Sequence, residues 1–75
     1  MKITKAQHQR ILAAVDELNA VRAEIEKKIP GVNWYLEDSD NLNLMSGHSH
    51  SDSGEPLHEN VIQLYSLDRS GGGGW

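Results

Sequence analysis

The stretch Ile-Pro-Gly-Val-Asn-Trp-Tyr-Leu-Glu, residues 29–37, marks the point at which the sequence pattern changes from helical to extended. Pro30 and Gly31 end the helical pattern, because proline cannot continue a helix and glycine is common just past a helix end. After them apolar and polar residues alternate, with Trp34 and Leu36 on one face, which is typical of a half-buried strand. The stretch therefore predicts a helix before it and a sheet after it.

The segment before Pro30 predicts one long helix. Thr4 and Gln7 fit a capping box, in which each side chain bonds to the backbone N–H of the other residue. Residues 5–29 consist mainly of good helix formers. Apolar residues recur along this helix with a heptad-like spacing that Arg22 interrupts. The spacing predicts an oligomer seam made of Ile11, Val15, Leu18, Arg22, Ile25 and Ile29.

Two interpretations of this seam remain open. In the first, the helix lies on the sheet of its own chain, and Arg22 lies at the margin of the contact with its aliphatic stem buried. In the second, the seam is shared between subunits. Such a helix is about 37 Å long, whereas strands commonly span only about 17–20 Å. Part of an apolar helix would then extend past the sheet, which favours a homo-oligomer.

The residues after Pro30 predict three strands. Runs at 32–37 and 42–45 flank turn-forming residues, which is the pattern of a hairpin, and a third apolar run covers 61–67. The predicted fold class is α+β, with one long N-terminal helix packed on a small three-stranded antiparallel sheet in the order α-β-β-β.

The same pattern predicts one domain and a tail. Residues 1–70 form the single small α+β domain. Residues 71–75 are four glycines and Trp75, which predict a flexible tail that ends in a large aromatic side chain. This tryptophan is expected to anchor in a pocket of a partner or of another subunit. The alternative is an added tag or a disordered end.

Charge is distributed unevenly between the two parts of the chain. Residues 1–31 hold six Lys and Arg against four acids, whereas residues 32–75 hold Arg69 alone against seven acids. An acidic sheet half repels phosphate backbones, so direct DNA binding is not expected. The chain has no cysteine, which excludes disulfides and thiolate metal sites. No apolar run is long enough to span a membrane, and a cytoplasmic location is expected.

The predicted loop between the second and third strands holds three of the four histidines together with several acids. Side chains of these kinds bind divalent metals, so one hypothesis is a zinc or similar site. The order His-Ser-His-Ser-Asp resembles the start of the metal motif of metallo-β-lactamase-type hydrolases over five residues, with Ser53 where that motif continues with histidine. A pH-sensitive solvated loop and a partner-contacting loop are the alternatives. The predicted metal ligands are His48, His50, Asp52 and His58.

Catalysis is not expected of this chain. It has no cysteine nucleophile, no Gly-x-Ser-x-Gly elbow and no cofactor fingerprint. Its serines near the histidines lie in a loop, whereas catalysis needs preorganised geometry. The sequence therefore predicts a protein that is not an enzyme and that needs no cofactor.

Aromatic and arginine side chains are the candidate contacts with a partner or ligand. Trp34 and Tyr35 are adjacent on one strand and so face opposite ways. Trp34 is expected in the core, and Tyr35 on the outer face beside Tyr65. Arginine binds phosphate through its forked guanidinium group. The predicted contact residues are Arg10, Arg22, Tyr35, Tyr65, Arg69, Trp75, His48 and His50.

In size and composition the chain resembles the small accessory proteins of phages and mobile elements. Many of these act by binding, and the resemblance implies a non-enzymatic homo-oligomer that inhibits or sequesters a host factor in the host cytoplasm. The expected target is a protein or a small anionic signalling ligand. The alternatives are a metal-binding or metal-responsive module that uses the histidine-rich loop, and a structural oligomer component.

Overall fold

The computed structural model describes residues 2–75 and shows one helix followed by a three-stranded antiparallel sheet. The strands lie in the order β1-β2-β3, and both neighbouring pairs are antiparallel. The α+β class and the α-β-β-β order are therefore confirmed. The elements are α1 (Lys5–Glu26), β1 (Asn33–Leu36), β2 (Asn41–Met45) and β3 (Val61–Ser66), with a 3₁₀ turn at His58–Asn60 before β3.

Helix α1 begins at the capping box that the sequence predicts. The backbone N–H of Gln7 donates to Thr4 Oγ1 at 3.0 Å, and the N–H of Thr4 donates to Gln7 Oε1 at 2.9 Å. These bonds satisfy two donors that a helix start otherwise leaves unpaired. The helix ends at Glu26, earlier than the predicted boundary at Ile29. Lys27 and Lys28 form a turn and Ile29 a bend, and Pro30 disfavours the helical conformation at Ile29 directly before it.

A cluster of polar contacts joins the end of α1 to the sheet. Arg22 Nη1 donates to Glu26 Oε1 at 2.7 Å and to the carbonyl oxygen of Val32 at 3.0 Å. The backbone N–H of Gly31 donates to Glu26 Oε2 at 2.7 Å. These hydrogen bonds, first from Gly31 and then from Arg22, lower the pKa of Glu26 from its ordinary value. The guanidinium of Arg22, predicted as an oligomer and ligand contact, is thus engaged within its own chain.

The sheet has one strongly apolar face, which carries Trp34. The register places Trp34 opposite Leu44, and Leu42 opposite both Leu36 and Tyr65. Because side chains alternate across a sheet, these residues share a face. The rings of Trp34 and Tyr65 meet at an edge, with centroids 6.4 Å apart. Tyr65 therefore lies on the face of Trp34, and the prediction that it lies beside Tyr35 is wrong.

The helix lies beside this face without closing onto it. No residue of α1 is buried, and every residue from 9 to 21 is exposed. Leu18 and Val21 face the sheet residues Trp34, Leu42 and Tyr65 across an open apolar cleft of about 350 Å³. The buried apolar residues in the described chain are Val32, Leu44 and Met45, so the core lies in the sheet and at its entry.

A buried carboxylate holds the turn between β1 and β2. Glu37 is only 2% exposed, and its Oε1 accepts from the hydroxyl of Ser39 and from Asn41 Nδ2, the latter at 2.7 Å. Its Oε2 accepts from Asn43 Nδ2 at 2.9 Å. The hydrogen bond from Ser39 is the largest cause that holds the pKa of Glu37 below its ordinary value, and burial acts in the opposite direction. The ionised carboxylate therefore organises the turn.

Replacing Glu37 by glutamine is expected to lower the free energy of unfolding at pH 7 by about 1–3 kcal/mol. One carboxylate oxygen, which accepts hydrogen bonds, becomes a buried NH₂ group, which donates them and would face other donors. A carboxyl group with a lowered folded-state pKa stabilises the fold above its unfolded pKa, near 4.3, and loses this contribution as the pH falls through the folded value. Urea denaturation between pH 7 and pH 2.5 should therefore show a weaker acid dependence in the variant. Glu24→Gln, at an exposed helical position, is the control. Identical acid dependence in Glu37→Gln and the unmodified protein would contradict this role.

Candidate functional site

The C-terminal tail lies against β1. The backbone N–H of Gly73 donates to the carbonyl oxygen of Leu36 at 3.2 Å, and the N–H of Asp38 donates to the carbonyl oxygen of Gly73 at 3.0 Å. These bonds form a parallel bridge between Gly73 and Glu37, and the bridge covers the end of the β1 edge. The tail predicted as flexible is thus held by backbone hydrogen bonds.

Two glycines of the tail are needed for this close approach. A Cβ atom on Gly72 would overlap the backbone carbonyl of Leu36, and a Cβ atom on Gly73 would overlap the hydroxyl of Tyr35. The glycines serve here to bring two backbones together, which is a second use of this residue beside flexibility. Composition alone does not distinguish the two uses, and this is why the sequence suggested a free tether.

Asp40 connects the β1–β2 turn to the start of the tail. Its carbonyl oxygen accepts from the N–H of Leu67 at 2.7 Å, and its Oδ1 accepts from the N–H of Ser70 at 2.7 Å. Asp40 has a φ of 66°, in the left-handed region that aspartate tolerates better than most residues. The turn and the tail therefore fix each other.

Trp75 lies among three other rings at the end of the tail. Its ring centroid is 4.4 Å from that of His58, 5.1 Å from that of Tyr35 and 5.8 Å from that of His50. The hydroxyl of Tyr35 donates to the carbonyl oxygen of Gly74 at 2.7 Å. The two histidine rings meet the Trp75 ring at an edge, and the Tyr35 ring is tilted by 40° to it. Aromatic rings at these distances attract each other in such arrangements. We refer to Tyr35, His50, His58 and Trp75 as the ring cluster.

The loop between β2 and β3 presents the two histidines of the ring cluster. The N–H of Ser46 donates to the carbonyl oxygen of Asn60 at 2.8 Å, and the N–H of Leu57 donates to that of Ser49 at 2.8 Å. A further antiparallel bridge joins residues 50 and 56. The loop is thus a small closed hairpin, and its backbone bonds place residues 50 and 58 beside the tail.

The predicted metal ligands are not brought together. His50 and His58 contact Trp75, and His50 Nδ1 lies 3.0 Å from the hydroxyl oxygen of Ser49. His48 and Asp52 are exposed elsewhere on the hairpin. Throughout residues 2–75, no group of three or more His, Cys, Asp or Glu side chains is arranged to hold a metal ion. The geometry gives no support to the metal hypothesis.

The three predicted arginine contacts also lie in separate places. Arg10 lies on the first half of α1, Arg22 is bonded at the junction, and Arg69 borders a shallow surface with Asp40 and Asp68. No single anion-binding site is formed by these three side chains. Of the other predicted contacts, Tyr35, His50 and Trp75 meet in the ring cluster.

A second candidate site is a line of residues along one face of α1, which we call the apolar stripe. Its spacing of three and four residues keeps the members on one side of the helix. The first half borders open solvent, and the second half borders the cleft to the sheet. Ile11 and Leu18 belong also to the predicted seam, whereas Ile25 and Ile29 of that seam are half-buried. The apolar stripe comprises Ile3, just before the helix, and Ile11, Ala14, Leu18 and Val21 on it, with the polar Gln7 in the same row.

Comparisons with protein-family models, with curated proteins and with solved structures find no match to this chain. Within the part of the chain that the structure describes, no helix has both the length and the apolar character to cross a membrane. The candidate sites are therefore defined by the contacts and exposures of this chain's own residues.

Proposed function

We propose that the protein is a non-enzymatic binding protein that assembles with copies of itself and inhibits or sequesters a host factor. The observation that carries the proposal is the exposed apolar surface of α1. Ile11 is 53% exposed, Val15 is 45% exposed and Leu18 is 39% exposed, all on a helix without a buried residue. A contiguous apolar surface of this kind marks an interaction site.

The small core is a second reason to expect self-association. The described chain buries only three apolar residues, and it has no disulfide to compensate. Small domains with little core are commonly stabilised by oligomerisation. A second copy of the chain is therefore the proposed occupant of the apolar surface.

The surface offered to the host factor is the ring cluster together with the acidic sheet half. Tryptophan and tyrosine contribute strongly to protein interfaces, and Trp75 and Tyr35 remain half-buried in the single chain. Exposed Asp52, Glu55 and Asp68 suit a basic protein surface. Because the arginines lie apart, a protein target in the host cytoplasm is favoured over a small anionic ligand. A small protein that binds a host protein in this way resembles the accessory proteins of phages and mobile elements.

Light scattering over a range of protein concentrations tests the assembly. The full chain should form a dimer or larger oligomer, and Ile11→Asp with Leu18→Asp should raise the dissociation constant by about 100-fold or more, because charge replaces apolar contact area. Circular dichroism should show an intact fold, since both residues are exposed in the single chain. Gln9→Asp, at an exposed polar position of the same helix, is the control.

The host factor is tested by affinity capture with the unmodified protein and with a chain lacking Trp75. Retention of one defined host protein by the full chain, with loss or weakening when Trp75 is removed, supports the proposal. A monomer at all concentrations contradicts the homo-oligomer. A stable oligomer that retains no host factor and tolerates changes throughout the ring cluster would instead indicate a structural component.

A further inference from the structure

The charges of α1 are segregated along its length. Residues 5–14 of the helix contain Lys5 and Arg10 and no acid, with Lys2 just before them, whereas residues 15–26 contain four acids and Arg22. The one ion pair within residues 2–75 joins Arg22 to Glu26, so the remaining charges of the helix form no ion pair with these residues. The first half of the helix is therefore positive and the second half is negative.

The two halves of the apolar stripe also differ in their surroundings. In the second half, Leu18 and Val21 form one wall of the open cleft, and Trp34, Leu42 and Tyr65 form the other. In the first half, Ile3 and Ile11 border a surface lined only by residues of α1 and by Ile3 just before it, with no sheet residue. Each chain thus has an apolar cleft without an occupant and an apolar helix half without a neighbour.

We propose that the first half of α1 from a second copy lies antiparallel to the second half of α1 and fills this cleft. The inference rests on the proposed homo-oligomer and specifies its geometry. A two-fold axis near Ala14, a small side chain that permits close approach, makes the contact reciprocal. Both clefts are then filled, because each copy provides one helix half and receives the other.

Charge complementarity favours this orientation over a parallel pair. In the antiparallel arrangement Arg10 of one copy lies beside Glu17 of the other, and Lys5 lies near Glu24. A parallel pair would instead place like charges side by side, which destabilises helix pairs.

Charge reversal tests the contact between Arg10 and Glu17. Arg10→Glu and Glu17→Arg are each expected to raise the dissociation constant about tenfold, since each introduces two like-charge contacts per symmetric dimer. The double variant should regain most of the original affinity. Asp16→Arg, on the same turn as Glu17 and outside the lining of the cleft, is the control and should have a smaller effect. Failure of the double variant to recover would overturn the pairing.

Disulfide trapping tests the orientation independently, because the chain has no cysteine of its own. Gln7→Cys mixed with Val21→Cys should give a cross-linked heterodimer, and Ala14→Cys should cross-link with itself. Gln7→Cys alone should not cross-link with itself. The two copies of residue 7 are about 20 Å apart in the antiparallel pair, which is too far for a disulfide.

The two experiments separate the inference from the proposed function. If the protein is a monomer at every concentration, the homo-oligomer itself is wrong. If it is an oligomer in which Gln7→Cys cross-links with itself and the double charge reversal does not recover, the homo-oligomer stands and the antiparallel arrangement is overturned.

Discussion

Replacing Met45 by alanine is expected to lower the free energy of unfolding by about 2–5 kcal/mol. Met45 is fully buried, at 0% exposed, in a chain whose described residues bury only two other apolar side chains. It lies on the central strand β2, where the register to β3 shifts between Leu44 and Met45. The whole stability of a domain of this size is about 4–11 kcal/mol. The change therefore removes a large share of the stability.

Chemical denaturation at a fixed protein concentration measures this effect, because association adds a concentration-dependent term to the apparent stability. Ile62→Ala is the control, since Ile62 lies on β3 and is 42% exposed, and its loss should be about 1 kcal/mol or less. Equal losses in the two variants would show that the core is not centred on Met45.

Replacing Gly72 by alanine is expected to release the tail from β1. The added Cβ would overlap the backbone carbonyl of Leu36, which the sheet holds in place. The bridge between Gly73 and Glu37 should then be lost together with the contacts between Trp75 and the other three rings of the cluster. Amide hydrogen exchange at Asp38 should become at least about tenfold faster, because an exposed amide exchanges without an opening step.

Gly71→Ala is a matched control for this experiment, because a Cβ atom on Gly71 meets nothing within 4 Å. It should leave both the exchange rate of Asp38 and the indole N–H resonance of Trp75 unchanged. If the two alanine variants behave alike, the tail is not held by close backbone contact.

The order of the elements could be predicted from local signals. The capping box at Thr4 and Gln7 begins the helix, the Pro30-Gly31 pair separates its end at Glu26 from the sheet, and the alternating residues that follow form β1. Each of these signals acts within a few residues, so no knowledge of tertiary contacts is needed. The α-β-β-β order follows from them directly.

The side of the sheet on which Tyr65 lies could not be predicted in the same way. It depends on the register between β2 and β3, which shifts at a bulge beside Met45. A shift of one residue moves a side chain to the opposite face. The distance between α1 and the sheet is likewise a tertiary property, and no local pattern of residues indicates the open cleft.

The ring cluster was only partly predictable. Tyr35, His50 and Trp75 were candidates on chemical grounds, and His58 was a candidate as a metal ligand. Their meeting depends on the close passage of Gly72 and Gly73 over β1, a contact between residues more than 30 positions apart. The useful signal was present in the sequence as a glycine run followed directly by an aromatic residue, although this pattern is shared by free tethers.

The position of the tail limits how the sheet of this protein can grow. Gly73 occupies the end of one outer strand, whereas the other outer strand, Val61–Ser66, carries no charge or proline that would discourage pairing. The tail pairs only with the end of β1, at Leu36 and Asp38, whereas the whole outer edge of β3 is left without a paired strand in the described chain. A further strand is therefore accommodated more readily beside β3 than beside the end of β1 that the tail covers.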